Sequence, residues 1–291
     1  MAKSTITLQV SDRIATITLN RPKSLNALTP EGRCPPLSQC WPSSKRLVGS
    51  FTDYDFLANT LRELDTRDDV LVTLLQGTGR WFCAGTDVKA SSTVSGTTGN
   101  VRKAFTTNVV NSTVDLGQAF YSHRKILVAA LNGPVMGIMA AFLGYFDFVY
   151  ALPNVWLSCP FGFLGIAAEA GASVSFVNRM GLAMAKEVLI WGKKKNVEQL
   201  LIPGFVNKIF PEQSVPHFQE AVRQEVLSEL EGLDPTAILS IRSLIQAGLN
   251  EKNNMDAVNL REGYAQAALF ASGVPQERFR KIGAKEIKHK L

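Results

Sequence analysis

"KILVAALNGPVMGIMAAFLGYF", residues 125–146, is the stretch on which the fold reading turns. Its first letters are continuously apolar up to Asn132-Gly133-Pro134, the pattern of a strand buried on both faces that ends in a turn. "MGIMAAFLGYF" (136–146) is apolar all round, which predicts a short buried helix starting directly after that turn. "VLVTLLQG" (70–77) is a second strand of the same kind. Between the two lie helical patterns: "DYDFLANTLRELDTRDD" (53–69), with Phe56, Leu57, Leu61 and Leu64 on one face, and a second helix over roughly 101–123. Upstream, "STITLQV" and "IATITLN" alternate apolar and polar letters around "SDR", the pattern of a hairpin. Strands alternating with helices predict an α/β core with parallel pairing. Downstream, 216–232, 234–249 and 255–272 each carry helical periodicity punctuated by Gly and Pro. The expected organisation is a core over 1–211 and a helical C-terminal module over 212–291.

Composition narrows the class. The 291 residues are 46% hydrophobic and 19% charged, the balance of a soluble globular protein with a sizeable core. No run of eighteen apolar residues occurs, and the first ten residues contain no charged-then-apolar leader, which speaks against membrane spanning and secretion. The four cysteines form no CxxC pair and the three histidines are far apart, so neither a structural metal nor a disulfide framework is expected, and reduced thiols fit an intracellular setting. A net charge of +6 raises the question of nucleic acid. Much of the excess sits in "GKKKN" (192–196) and the tail 277–291, neither interleaved with several aromatic residues, a pattern that fits solvated basic faces or a phosphate-bearing small ligand better than RNA or DNA.

Two stretches stand out. "GRCPPLSQCWPSSKRLVGSFT" (32–52) has neither helical nor strand period and interrupts an otherwise good helix start. It reads either as a surface insertion or as a retained intron, since its removal leaves the continuous sequence "TPEDYDFLANTLREL". "LGIAAEAGAS" (164–173) sets one carboxylate, Glu169, among small apolar residues. A charge there loses hydration unless it has a partner or a task. Alternatively, Glu169 is an acid drawn to the positive end of a following helix. Both readings stand on these letters.

"NRPKSLNAL" (20–28), "GRWFCAGTDVK" (79–89) and "LNGPVMGIMAA" (131–141), followed by the stretch around Glu169, resemble in this order the crotonase, or enoyl-CoA hydratase/isomerase, family. The resemblance implies a crotonase-like ββα superhelical α/β core with the helical module behind it. It also implies an acyl-CoA substrate whose thioester oxygen is bound by the backbone amides of Thr86 and Ile138. Coenzyme A is then carried by the substrate, with no separate cofactor and no metal. By the same resemblance, CoA lies along Lys23, Ser24 and Ala27 and the segment Ala84, Gly85, Asp87 and Lys89. The two glutamates that hydratases of the family use are matched by Ala141 and Phe161. Glu169 falls where the fungal peroxisomal Δ3,Δ2-enoyl-CoA isomerases carry their base, with Phe161, Phe163 and Leu164 expected as apolar walls. The implied activity is a double-bond shift through a thioester dienolate, in fatty-acid oxidation or in secondary-metabolite or toxin biosynthesis. The alternatives are a hydratase of the same family and an inert family member that binds RNA or a protein partner. The family's habit implies a homotrimer or hexamer, with Leu239, Ile241, Leu244 and Ile245 assigned either to that contact or to the intrachain core. The terminal "HKL" resembles a peroxisomal address read by an import receptor.

Overall fold

The computed structural model describes residues 5–29, 52–87 and 97–289. The hairpin forms as β1 (Ile6–Ser11) and β2 (Ile14–Leu19), antiparallel, with Asp12 and Arg13 both at positive φ, as a two-residue turn matched to the strand twist requires. β2 is followed in the sheet by β3 (Val72–Gly77), β4 (Ile126–Leu131), β6 (Phe148–Ala151) and β9 (Lys208–Ile209), all parallel, giving a six-stranded sheet in the order β1-β2-β3-β4-β6-β9. Every residue of β4 is buried, as its unbroken apolar run demands. A smaller sheet joins β5 (Val135–Met136), β7 (Trp156–Ser158) and β8 (Lys195–Asn196).

α1 (Asp53–Asp65) opens with a capping box in which the Thr52 hydroxyl accepts from the Asp55 amide and the Asp55 carboxylate accepts from Thr52 N. Phe56, Leu57, Leu61 and Leu64 all enter the core. Ahead of it, Asp53 N donates to Thr29 O at 3.1 Å and Thr29 N donates to the Asp53 carboxylate at 2.8 Å, so the flanks of the interrupting segment meet in space. The insertion-or-intron segment itself lies outside the described residues except for Thr52.

The helix expected over 101–123 is one run in three parts: α2 (Val101–Ala104), a wide-wound π segment (Phe105–Asp115) and α3 (Leu116–Tyr121). Such widening is frequent at functional sites. α4 (Gly137–Phe142) is the buried helix after the Asn-Gly-Pro turn, and α5 (Phe161–Leu164) is a single turn leading to the loop of Glu169. α6 (Ala172–Leu189) and α7 (Val197–Leu201) complete the first part.

Four helices follow. α8 (Val215–Leu230) buries Phe218, Val222 and Val226 in the same core cluster as the sheet. α9 (Pro235–Lys252) turns Leu239 toward that core and leaves Ile241, Leu244 and Ile245 exposed, Leu244 at 73%. The four apolar residues that the sequence left undivided thus separate into one core contact and three surface positions. α10 (Met255–Ser272) lies along the π segment, with Tyr264 stacked on Phe105 at 4.6 Å and Asn259 donating to Val114 O at 2.8 Å. α11 (Val274–Gly283) covers α5 through a 2.7 Å bond from Arg278 to Phe163 O. No helix among the described residues is long and apolar enough to cross a membrane.

Candidate active site

Backbone pairing brings the sequence motifs together. The loop 25–28 lies against 84–87: Ala84 N donates to Leu25 O, Leu28 N to Gly85 O and Asp87 N to Leu28 O, at 3.0, 2.7 and 2.7 Å. The second motif then lies against the third through Phe82 N to Pro134 O and Met136 N to Cys83 O. The third pairs with β7, Val135 opposite Leu157, and so draws in the segment leading to Glu169. Arg21 ties the first two motifs together, donating to Ala27 O at 2.8 Å and to the Asp87 carboxylate at 3.1 Å.

Where these strips touch, two glycines face each other. Gly85 and Gly137 both have positive φ, and a Cβ on Gly85 would stand 2.9 Å from Met136 O, so only glycine permits the approach. Each is followed by a residue whose amide has no acceptor among the described residues. Ile138 is the second residue of α4, where an amide has no intrahelical acceptor. The amide of Thr86 joins none of the pairings made by Gly85 and Asp87 on either side of it. Two main-chain donors on adjacent glycine turns can stabilise an oxygen that gains negative charge.

Glu169 lies in the loop between α5 and α6 and is only 6% exposed. Its Oε2 accepts from Thr113 Oγ1 at 3.1 Å and from Gln266 Nε2 at 3.3 Å, whereas Oε1 accepts from no described residue. Burial pushes the carboxyl up to about 7, with the Thr113 hydrogen bond opposing and the charge of Glu262 adding to the rise. The Glu169 charge in turn raises Tyr54 and Cys159, both already pushed up by burial. Tyr54 shares a 2.8 Å hydrogen bond with Thr86 Oγ1, and the Cys159 thiol faces Gly137 O at 3.8 Å. The acid is therefore within electrostatic reach of groups that touch both glycine turns.

The two readings of Glu169 separate here. The positive end of α6 is capped by a different acid: Glu262, on α10, accepts from Gly171 N at 2.6 Å and from Ser173 N at 2.9 Å. The Glu169 carboxylate has no part in that cap; only its backbone carbonyl meets the helix start, accepting from Ala172 N at 3.1 Å.

A family profile described as enoyl-CoA hydratase/isomerase matches residues 53–273, beginning at the first residue after the interrupting segment. The chain belongs to the enoyl-CoA hydratase/isomerase family. It is 36% identical over 298 residues to a Delta(3,5)-Delta(2,4)-dienoyl-CoA isomerase of Pyricularia oryzae, covering 98% of each chain. It is 30% identical over 247 residues to a 3,2-trans-enoyl-CoA isomerase of Saccharomyces cerevisiae, covering 82% of this chain and 87% of the relative. Among solved structures, an enoyl-CoA hydratase/isomerase from Pseudoalteromonas atlantica superposes with a TM-score of 0.78 at 23% identity, covering 99% of this chain and all of the other. That crotonase fold agrees with the layers described above.

Ala141 and Phe161, which the resemblance sets against the hydratase glutamates, are both sealed in the core. Phe163 is engaged by the tail, with His289 edge-on at 4.8 Å and Arg278 over its ring at 5.0 Å. Of the expected CoA contacts, Lys23 is exposed, Ser24, Ala84 and Asp87 are half-buried, Ala27 and Gly85 are buried, and Lys89 lies outside the described residues. The loop amides of 24–27 all bond within the loop, so it offers a ligand mainly the second lone pairs of its carbonyls. Tyr54, Thr113, Glu262 and Gln266 were missed from the sequence. For the last two a signal existed: they share one helical stripe with Val258, Ala267 and Ala271, where a polar residue must find a buried partner. Thr113 had none, because the π segment breaks the period that would have placed it.

Proposed function

We propose that this protein is a Δ3,Δ2-enoyl-CoA isomerase that moves a double bond of an acyl-CoA by a 1,3 proton shift. The observation that carries the reading is Glu169: a buried carboxylate raised to about 7, held by one oxygen, with no donor to the other among the described residues, and within electrostatic reach of Tyr54 and Cys159, which touch the two glycine turns. In its ionised form Glu169 takes a proton from C2 of a 3-enoyl thioester. Electrons move toward the carbonyl, the amides of Thr86 and Ile138 hold the resulting dienolate oxygen, and the same carboxylic acid returns the proton to C4, leaving the double bond at C2. One group suffices because C2 and C4 are separated by one carbon. A positioned base of this kind contributes about 10²–10⁴ in rate, and one oxyanion donor about 3 kcal/mol.

Hydration is disfavoured, since neither Ala141 nor Phe161 can move a proton. A 3,5-dienoyl substrate is the second reading, favoured by the Pyricularia oryzae relative. It requires a proton to travel to C6, and the other carboxylate acting on Glu169, Glu262, is tied to two backbone amides. The CoA moiety, carried by the substrate so that no separate cofactor is needed, is assigned to 23–27 and 84–89. The exposed Ile241, Leu244 and Ile245 of α9 are assigned to contact with further copies in a trimer or hexamer, and "HKL" (289–291) to a peroxisomal import receptor.

The deciding assay is purified protein on 3-enoyl-, 3,5-dienoyl- and 2-enoyl-CoA panels, alongside Glu169→Gln. Conversion of 3-enoyl-CoA that disappears in the variant is the expected result; near-normal turnover by the variant refutes the assignment. Leu244→Glu with Ile245→Glu should release smaller species by light scattering, and an unchanged mass rejects the α9 contact.

A further inference from the structure

Gln266 stands between two groups that fix its orientation. Its Oε1 accepts from Ala167 N at 2.8 Å, and a backbone N–H can only donate, so the carboxamide cannot be reversed. Its Nε2 must then face Glu169, donating to Oε2 at 3.3 Å. Thr113 Oγ1 donates to that same oxygen from the π segment. Both donors converge on Oε2 from opposite elements, and Oε1 receives neither. Gln266 is itself 2% exposed, so no water competes freely for these bonds.

We infer that Gln266 is a positioning residue for proton transfer: it holds Glu169 with Oε1 turned to the substrate and favours the ionised carboxylate that the reaction needs. This deepens the isomerase reading and rests on it. A donor to a carboxylate favours its charged form, and burial alone drives Glu169 the other way. The C-terminal helices thus do more than cover the core. α10 reaches the loop of the base three times, through Gln266 to Ala167 and Glu169 and through Glu262 to Gly171.

The titratable groups whose charge couples to Glu169 are Glu262 from α10, Tyr54 from α1 and Cys159 after β7. Burial keeps Tyr54 and Cys159 protonated, so Glu262 is the group to control for.

Gln266→Glu separates the two bonds, because a carboxylate can still accept from Ala167 N but, ionised, cannot donate to Glu169. Expected are a fall in kcat of about tenfold or more, KM within about twofold, and an upward move of the acid limb of kcat/KM by about one pH unit. Gln266→Met, which removes both bonds, should lower kcat at least as far, and Glu262→Gln should move the limb the opposite way. Wild-type kcat and an unmoved limb in Gln266→Glu, with Glu169→Gln inactive, overturn the inference and leave the isomerase reading standing. If Glu169→Gln retains turnover, both fail. Should Gln266→Met not fold, the pH profile of Gln266→Glu decides alone.

Discussion

Glu262 and Glu169 are both buried, both raised by burial, and close enough for the charge of one to act on the other, yet their hydrogen bonds differ in kind. Each oxygen of Glu262 takes a backbone amide at the start of α6, two donors that the helix geometry leaves without partners. Glu169 takes two side-chain donors on one oxygen and none on the other among the described residues. The first arrangement closes a helix end and commits both oxygens to the backbone. The second keeps a basic lone pair on a carboxylate whose charged form burial disfavours. Buried acids alike in sequence character can therefore be sorted into structural and chemical roles by counting which oxygens are spent.

The sharpest way to break this contrast is to exchange each acid for its amide. Glu169→Gln should lower kcat by about a thousandfold with the fold intact. Glu262→Gln should keep substantial turnover, and a mutant pair that loses activity equally would erase the distinction.

Stability should move in the reverse sense. The folded pKa of Glu169, about 7, lies above its ordinary 4.5, so the unfolded chain releases this proton first. Stability from this group is present below about 4.5 and is lost as pH rises through 7, by about 3 kcal/mol in total. Glu169→Gln should accordingly be more stable than the parent at pH 8 and about equal at pH 5 in urea titrations. Across the same range kcat/KM of the parent should climb through pH 7 to a plateau, since only the ionised base acts. A flat profile between pH 6 and 8 contradicts the assignment.

Glu262→Ala should cost about 2 kcal/mol by orphaning the amides of Gly171 and Ser173. Denaturant midpoints measure it, and a loss below about half a kcal/mol means α6 is capped by other means. The smallest effect is expected where the segment 32–52 is deleted. Thr29 N already donates to the Asp53 carboxylate, one of the two bonds of a capping box, and Asp53 N already reaches Thr29 O, so the shortened chain "TPEDYDF" should cap α1 at Thr29 and change stability by about 1 kcal/mol or less. A shortened chain that fails to fold shows that the segment serves the core.

Periodicity made the strands and most helices legible because burial on one face or both leaves its mark on successive letters. β4, α4 and α8–α10 fall within a few residues of their expected bounds. The winding of 105–115 was not legible, since widening a helix by one residue per turn changes which side chains face inward without changing their composition. Motif order revealed the two glycine turns and Glu169. Nothing local disclosed that Gln266, Thr113 and Tyr54 attend them.

The sequence by itself determined that one acid sits amid small apolar residues and that the strips carrying Gly85 and Gly137 belong to one core. Only the tertiary structure decided which oxygen of the acid is engaged, because its donors come from positions 56 and 97 residues away. It also assigned the helix cap to a second acid 91 residues on from Gly171. A hydrogen bond has a direction and a reach of about 3 Å, and neither is written in the spacing of letters along the chain.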